Sequence, residues 1–204
     1  MTDARQSHWE NVYTTKGEQE VSWFEESPEL SLRLIAEAGI GPEASVVDIG
    51  GGASRLVDAL FERGQTHITV LDLSSAALDV ARVRIGNAPS VKWVVSDVTE
   101  WVSASPFDLW HDRAAFHFLT DGGEQQKYVA AMKQALRPGA IVIIGTFAPD
   151  GPEKCSGLPV ARYDAETLAA VLGSDFVPLA HLRHTHTTPW GAEQRFQFTT
   201  FRRR

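Results

Sequence analysis

Three consecutive glycines set between two apolar runs constrain this chain more than any other feature. Ser45-Val46-Val47-Asp48-Ile49 is short and apolar, as a buried strand is, and carries an acid near its end. Gly50-Gly51-Gly52 lets the backbone turn tightly, and Ser54 stands where it can cap a helix. Leu56, Val57, Leu60 and Phe61 fall on one face of that helix. A second apolar run, residues 67–71, ends in Asp72. Strand, glycine loop, crossover helix and acid-tipped second strand are the unit with which an open parallel sheet grips a nucleoside.

The pattern continues on both sides of this unit. Ser27-Pro28-Glu29 predicts a helix start, with Leu30, Leu34, Ile35 and Ala38 at helical spacing until Gly39. Ser74 predicts another, bearing Leu78, Ala81 and Ile85. Residues 91–95 read as a third strand ending at Ser96-Asp97, and residues 107–110 as a fourth ending at His111-Asp112-Arg113. Asp121 and Glu124 open a helix bearing Val129, Met132 and Leu136, which Pro138-Gly139 breaks. Residues 140–146 form the most apolar run, a strand buried on both faces. After a proline-rich loop over residues 149–159, Asp164 caps a helix with Leu168, Val171 and Leu172. Two strands, residues 176–183 and 195–201, close the chain; Phe196 and Phe198 alternate there with Gln197 and Thr199.

Strands alternating with helices predict a single-domain, doubly wound α/β sheet covered on both faces. Residues 28–204 make the domain; residues 1–27, polar but carrying Trp9, Tyr13, Trp23 and Phe24, make a separate aromatic segment, a surface piece or a lid. Right-handed crossovers put every strand tip on one edge, so Asp48, Asp72, Asp97 and Asp112 arrive there together.

The length of 204 residues suits one domain. A net charge of -7 repels a nucleic-acid backbone, and only Arg202-Arg203-Arg204 forms a basic run, read as a solvated terminus. Cys155 is the single cysteine, which excludes an internal disulfide and suits a reducing compartment. No apolar run is long enough to span a bilayer, and Met1-Thr2-Asp3-Ala4-Arg5 lacks the order of a secretion signal, so a cytoplasmic protein free of membrane is expected. The sequence sets no oligomeric state.

A dinucleotide and a phosphate-free nucleoside compete for the edge. The dinucleotide fingerprint wants glycine at position 55, which is Arg55, and Asp48 would repel a pyrophosphate. A nucleoside carrying a sulfonium and an ammonium suits the acids: Asp72 for both ribose hydroxyls, Asp97 for an adenine amino group, and Asp48 with the amides of Gly50, Gly51 and Gly52 for the amino-acid end.

Residues 46–52, Val70-Leu71-Asp72, Ser96-Asp97-Val98 and residues 136–140 resemble the motifs of the class I S-adenosylmethionine-dependent methyltransferases, over roughly residues 30–204. Ser54 departs from the small residue or glycine that many members carry. The resemblance implies the strand order 3-2-1-4-5-7-6 with the last strand antiparallel, and S-adenosylmethionine as cofactor. It adds Leu73, Ser74, Val98 and His111 to the cofactor-binding residues. Residues 110–116 also resemble the Asp-Arg-Ala element of thiopurine and tellurite-resistance methyltransferases, which implies a small acceptor with a thiol or chalcogen nucleophile. On that reading Asp112, Arg113 and His117 are the catalytic candidates, and Trp9, Tyr13, Trp23, Phe24, Phe116, Cys155 and Arg162 surround the acceptor.

Blander roles stand beside these. His117 is a base or a locally bonded histidine; Arg113 holds an anion or pairs with Asp112; Cys155 is a pocket thiol whose pKa Lys154 lowers, or an idle buried one; Arg162 reaches a carboxylate or lies on the surface. Of His181, His184 and His186 only the last two share a strand face, so no metal site is expected. Trp9-Glu10-Asn11-Val12-Tyr13 with Ser22-Trp23-Phe24 resembles the start of a group of protein lysine methyltransferases, a competing acceptor class. A cofactor-holding module without chemistry is the third reading. The fourth strand tip has neither the Asn/Asp-Pro-Pro-aromatic run of DNA amino methylation nor a cysteine for cytosine C5 chemistry.

Overall fold

The computed structural model describes residues 2–204, leaving Met1 of the amino-terminal segment outside the described residues. The glycine-loop unit forms as its residues dictate: β1 (Ser45–Ile49), α3 (Leu56–Glu62) and β2 (His67–Asp72). Ser54 bonds the backbone N–H of Leu56, and Arg55 takes the cap position itself. α4 (Ser75–Ile85) starts at Ser74, whose hydroxyl accepts from Ala77 N–H, and leads to β3 (Val91–Val95). β4 (Phe107–Arg113), α5 (Gly122–Ala135), β5 (Leu136–Phe147), α6 (Ala165–Leu172), β8 (Phe176–Thr187) and β9 (Glu193–Arg203) complete the domain. A ribbon of two-residue strands, β6 (Lys154–Cys155) and β7 (Leu158–Pro159), lies in the proline-rich loop.

The main sheet has the order β3-β2-β1-β4-β5-β9-β8, with β9 antiparallel to both neighbours. This is the predicted 3-2-1-4-5-7-6 once the small ribbon takes two numbers. Alternating side chains divide the core in two. Val46, Val70, Leu109 and Ile143 pack under α2 (Glu29–Glu37), α3 and α4. Val47, Ile49, Trp110 and Ile144 pack under α5 and α6. No helix among the described residues is long and apolar enough to cross a membrane.

Three boundaries differ from the sequence reading. The helix α5 ends at Ala135, and Leu136 already pairs with Phe107; residues 137–140 then leave the register in a bulge, with Gly139 at φ +85°. Pro138-Gly139 thus interrupts a strand, where the spacing predicts a helix end. The closing hairpin is longer than residues 176–183 and 195–201, because pairing continues to Thr187 and Glu193, where the buried positions are the polar His186 and Gln194 and give no apolar alternation. The amino-terminal segment contains α1 (Thr2–Thr15) and a 3-10 turn at Glu18–Glu20. Its apolar stripe, Trp9, Val12 and Tyr13, spans little more than one turn, too short to signal a helix.

Candidate functional site

Register decides which side chains meet. In the parallel pair β1–β4, Asp48 lies opposite His111 and Ile49 opposite Asp112. Residues paired in this way share a face. Asp48, His111 and Arg113 therefore project toward α2 and α3, and Asp112 projects the other way. His111 Nδ1 is 2.7 Å from Asp48 Oδ1, and its Nε2 is 2.9 Å from Ser31 Oγ on α2.

The glycine loop is packed as tightly as its composition requires. Gly50 and Gly52 hold φ +64° and +43°. A Cβ on Gly51 would stand 2.6 Å from both Asp48 Oδ2 and Val70 Cγ1, and one on Gly52 2.9 Å from Asp72 Oδ2. Gly51→Ala should therefore destabilise the fold by about 1–3 kcal/mol and displace Asp48, read as a lower melting temperature with weaker ligand binding. A normal melting curve and normal binding would contradict this packing.

Two adjoining clefts open along this edge and share Tyr13, Trp23, Gly50 and Arg113. One, of about 620 Å³, lies over Asp48, Gly51, His111 and Ser31 and is bounded by Phe24 and Glu25. The other, of about 670 Å³, reaches Asp72 and Ala115 between Trp9, Phe118 and Cys155. The amino-terminal segment roofs both. Trp9 meets Trp23 and Phe118 edge-on, and Trp23 Nε1 donates to Tyr13 Oη. Glu10 accepts from both hydroxyls of Ser74 and Ser75 and from Ala76 N–H at the start of α4. Arg5 pairs with Asp97 and Glu124; Glu18 receives Arg55 and Arg84. Arg113 donates to the Trp23 carbonyl at 2.9 Å and pairs with Glu25, while His186 bonds the Ser22 carbonyl. Burial would raise the Glu25 carboxyl, but its hydrogen bond to His186 and the charge of Arg113 hold it below its ordinary value.

The predicted cofactor residues divide. Asp48, Gly50, Gly51, Asp72 and His111 line the clefts, and Gly52 backs the Asp72 carboxylate. Burial, with Asp48 nearby, pushes the Asp72 carboxyl up to about 7. Ser74 supports it, donating its N–H to Asp72 Oδ1. Leu73 is partly buried beside it, and Val98 packs on the α5 side of the core. Asp97, expected to be open to an adenine amino group, accepts from Thr99 N–H and hydroxyl on one oxygen and from Arg5 on the other.

The catalytic candidates fare differently. Asp112 is fully buried on the far face, where it accepts from Ala115 N–H, Phe116 N–H and Tyr128 Oη. Strand alternation sends it there, so it faces neither the clefts nor Arg113. His117 is buried too; burial and the charge of Arg113 hold its pKa down to about 3, and its Nδ1 accepts from Phe147 N–H. It is a neutral packed histidine, not a base at the clefts. Arg113 alone of the three lines both clefts.

Among the acceptor candidates, Trp9, Tyr13, Trp23, Phe24 and Cys155 line a cleft, while Phe116 is core. Arg162 is tied to the Gly151 carbonyl and Glu153. Lys154 does not activate Cys155: burial pushes the thiol up to about 11. Alkylation of Cys155 at pH 7.5 should run about a hundredfold slower than that of a free thiol, by mass spectrometry. A rate like that of free cysteine would contradict the burial. The roles of Ser31, Arg5 and Glu25 escaped the sequence reading, and Glu10 and His186 entered it in other roles, because each acts through a contact distant in the chain.

A carboxylate at the second strand tip, a glycine loop beneath the first, and this strand order define a nucleoside-binding methyltransferase fold. Residues 46–139 match the family described as a methyltransferase domain. The chain is 28% identical to a trans-aconitate 2-methyltransferase of Azoarcus sp., over 64% of this chain and 50% of the relative. It is 26% identical to an EEF1A lysine methyltransferase 2 of Danio rerio, over 67% and 66%. The crystal structure of the N-methyltransferase NodS of Bradyrhizobium japonicum, in complex with S-adenosylhomocysteine, superposes with a TM-score of 0.74 at 17% identity and covers 97% of each chain. Residues 46–139 thus carry a methyltransferase domain, and the chain has the fold of the class I S-adenosylmethionine-dependent methyltransferases. It spans between 40% and 66% of the length of the first four curated relatives it matches.

The residues present fit the cofactor of that class. Asp72 is a buried carboxylate beside a cradle that a Cβ on Gly52 would fill, and Asp48 presents a second carboxylate next to Gly51.

Proposed function

We propose that this protein transfers a methyl group from S-adenosylmethionine to a small-molecule acceptor admitted beside Arg113 beneath the amino-terminal segment. The observation that carries the reading is the meeting of two clefts at Tyr13, Trp23, Gly50 and Arg113, one reaching the Asp72 carboxylate and the other Asp48. S-adenosylmethionine supplies, when bound, an electrophilic methyl carbon on a sulfonium. Asp72 accepts from the ribose hydroxyls, and Asp48 faces the ammonium. Residues 1–27 act as a lid, and Trp9 and Trp23 keep water from the junction, where alignment and dryness matter more than acid or base.

Neither of the expected bases serves the junction, since Asp112 faces away and His117 is neutral and buried. The acceptor must then bring its own lone pair, as a thiolate or other chalcogen anion does. The Arg113 guanidinium, though paired with Glu25, lines both clefts and sets a cationic group beside such an anion. Glu18 and Glu25, the acids that border the Asp48 cleft, are both engaged by arginines, which leaves poor provision for a lysine ammonium. The likeness to a lysine methyltransferase nonetheless supports a protein acceptor as the second reading.

Formation of S-adenosylhomocysteine, followed across thiols, selenite, tellurite, phenols, amines and whole-cell protein, separates the readings. Turnover with a thiol or chalcogen is expected. Turnover with protein alone would select the second reading, and none with any acceptor would leave a binding module.

A further inference from the structure

Three side chains from three elements form a buried hydrogen-bonded line that ends at the glycine loop. Ser31 on α2, His111 on β4 and Asp48 on β1 are each no more than 3% exposed. Ser31 Oγ lies 2.9 Å from His111 Nε2, and His111 Nδ1 2.7 Å from Asp48 Oδ1. All three border the cleft over Gly50 and Gly51. The other Asp48 oxygen, Oδ2, is the one pressed against Gly51, 2.6 Å from the place of a Cβ there.

Chemistry fixes the direction of the line. A carboxylate only accepts, so His111 Nδ1 must carry a proton and donate. In the neutral ring Nε2 is then the acceptor, and Ser31 supplies the hydroxyl that holds this tautomer. A histidine that donates from Nδ1 fixes one oxygen of the Asp48 carboxylate and so orients the group, which borders the cleft, toward a cation there. Buried hydrogen bonds of this kind to a charged group are worth more than neutral ones.

We propose that Ser31 and His111 are positioning residues, which hold the Asp48 carboxylate toward the ammonium of the cofactor's amino-acid end. The inference rests on the cofactor reading above and deepens it. It separates the two ends of the ligand: the line serves the amino-acid end, whereas Asp72 serves the nucleoside. Removing His111 should weaken only ligands that carry the ammonium. A merely structural histidine would affect all ligands of the site alike.

Calorimetric titration with S-adenosylhomocysteine and with 5′-methylthioadenosine, which lacks the amino-acid end, tests this in the full chain. His111→Leu should weaken S-adenosylhomocysteine about tenfold and change 5′-methylthioadenosine less than about twofold. His111→Asn, whose amide can replace the Nδ1 donor, should recover most of the loss, and Ser31→Ala should lose about threefold for the first ligand only. If His111→Leu does not fold, the selectivity of Ser31→Ala decides the matter. Equal losses for both ligands, or no loss for either, overturn the inference and leave the cofactor reading standing. Wild-type protein that binds neither ligand overturns the cofactor reading and this inference with it.

Discussion

Asp72→Asn weakens S-adenosylhomocysteine binding at least tenfold and, at pH 8, raises the melting temperature of the ligand-free protein. Both effects come from one buried carboxylate. Loss of a paired, charge-assisted acceptor for two ribose hydroxyls removes roughly 1.5–3 kcal/mol of binding. The same carboxyl, carried by burial from 3.8 to about 7, costs the ionised folded state on the order of 4 kcal/mol. Asparagine keeps the acceptor for Ser74 N–H and removes that cost, which is worth about 5 °C or more. The pH dependence has a definite sign. The folded carboxyl keeps its proton to higher pH than the unfolded one, so its contribution to stability falls as pH rises from 3.8 to about 7, and is level above. In wild type, ligand affinity should fall about tenfold per pH unit below 7, where the acceptor is protonated; in Asp72→Asn this slope disappears. Thermal melts and titrations at pH 5.5 and 8 check both. An unchanged affinity in the variant would remove Asp72 from the ribose.

Arg113→Met lowers turnover about a hundredfold, the order expected when a closed and aligned site is loosened. Arg113 joins the β4 tip to the lid through the Trp23 carbonyl and Glu25, and its guanidinium also stacks over Phe196. Methionine fills much of the same volume but leaves Glu25 with His186 as its remaining partner, at a cost of about 1–3 kcal/mol. Because the Glu25 carboxyl is held below its ordinary value, this stabilisation is present above pH 4.5 and lost as pH falls below it. The deficit of the variant should therefore be large at pH 8 and shrink in acid. Single-turnover rates with the most active acceptor, beside melts of the same samples, measure both. Full turnover with a normal melt would deny Arg113 the role of latch.

The nucleoside half of the site is legible in the sequence because local rules place it. Asp72 ends an apolar run, the glycines follow another, and parallel strands joined by right-handed crossovers bring their tips together. The acceptor half is less legible because alternation and distant contacts decide it. Asp112 and Arg113 are neighbours in the chain, but one faces Tyr128 and the other Trp23. Their assignment needs the β1–β4 register, which no local pattern fixes. Asp97 ends its run as Asp72 does, but Arg5, 92 residues earlier, takes one of its oxygens. Ser31 reads as one more polar position on α2, and only its distance to His111 gives it meaning.

The most direct measurement is a crystal structure of the protein with S-adenosylhomocysteine. The account predicts both ribose hydroxyls on the Asp72 carboxylate, the ammonium on Asp48, and the sulfur at the junction of Tyr13, Trp23, Gly50 and Arg113. A nucleoside bound away from the tips of β1 and β2 would contradict it.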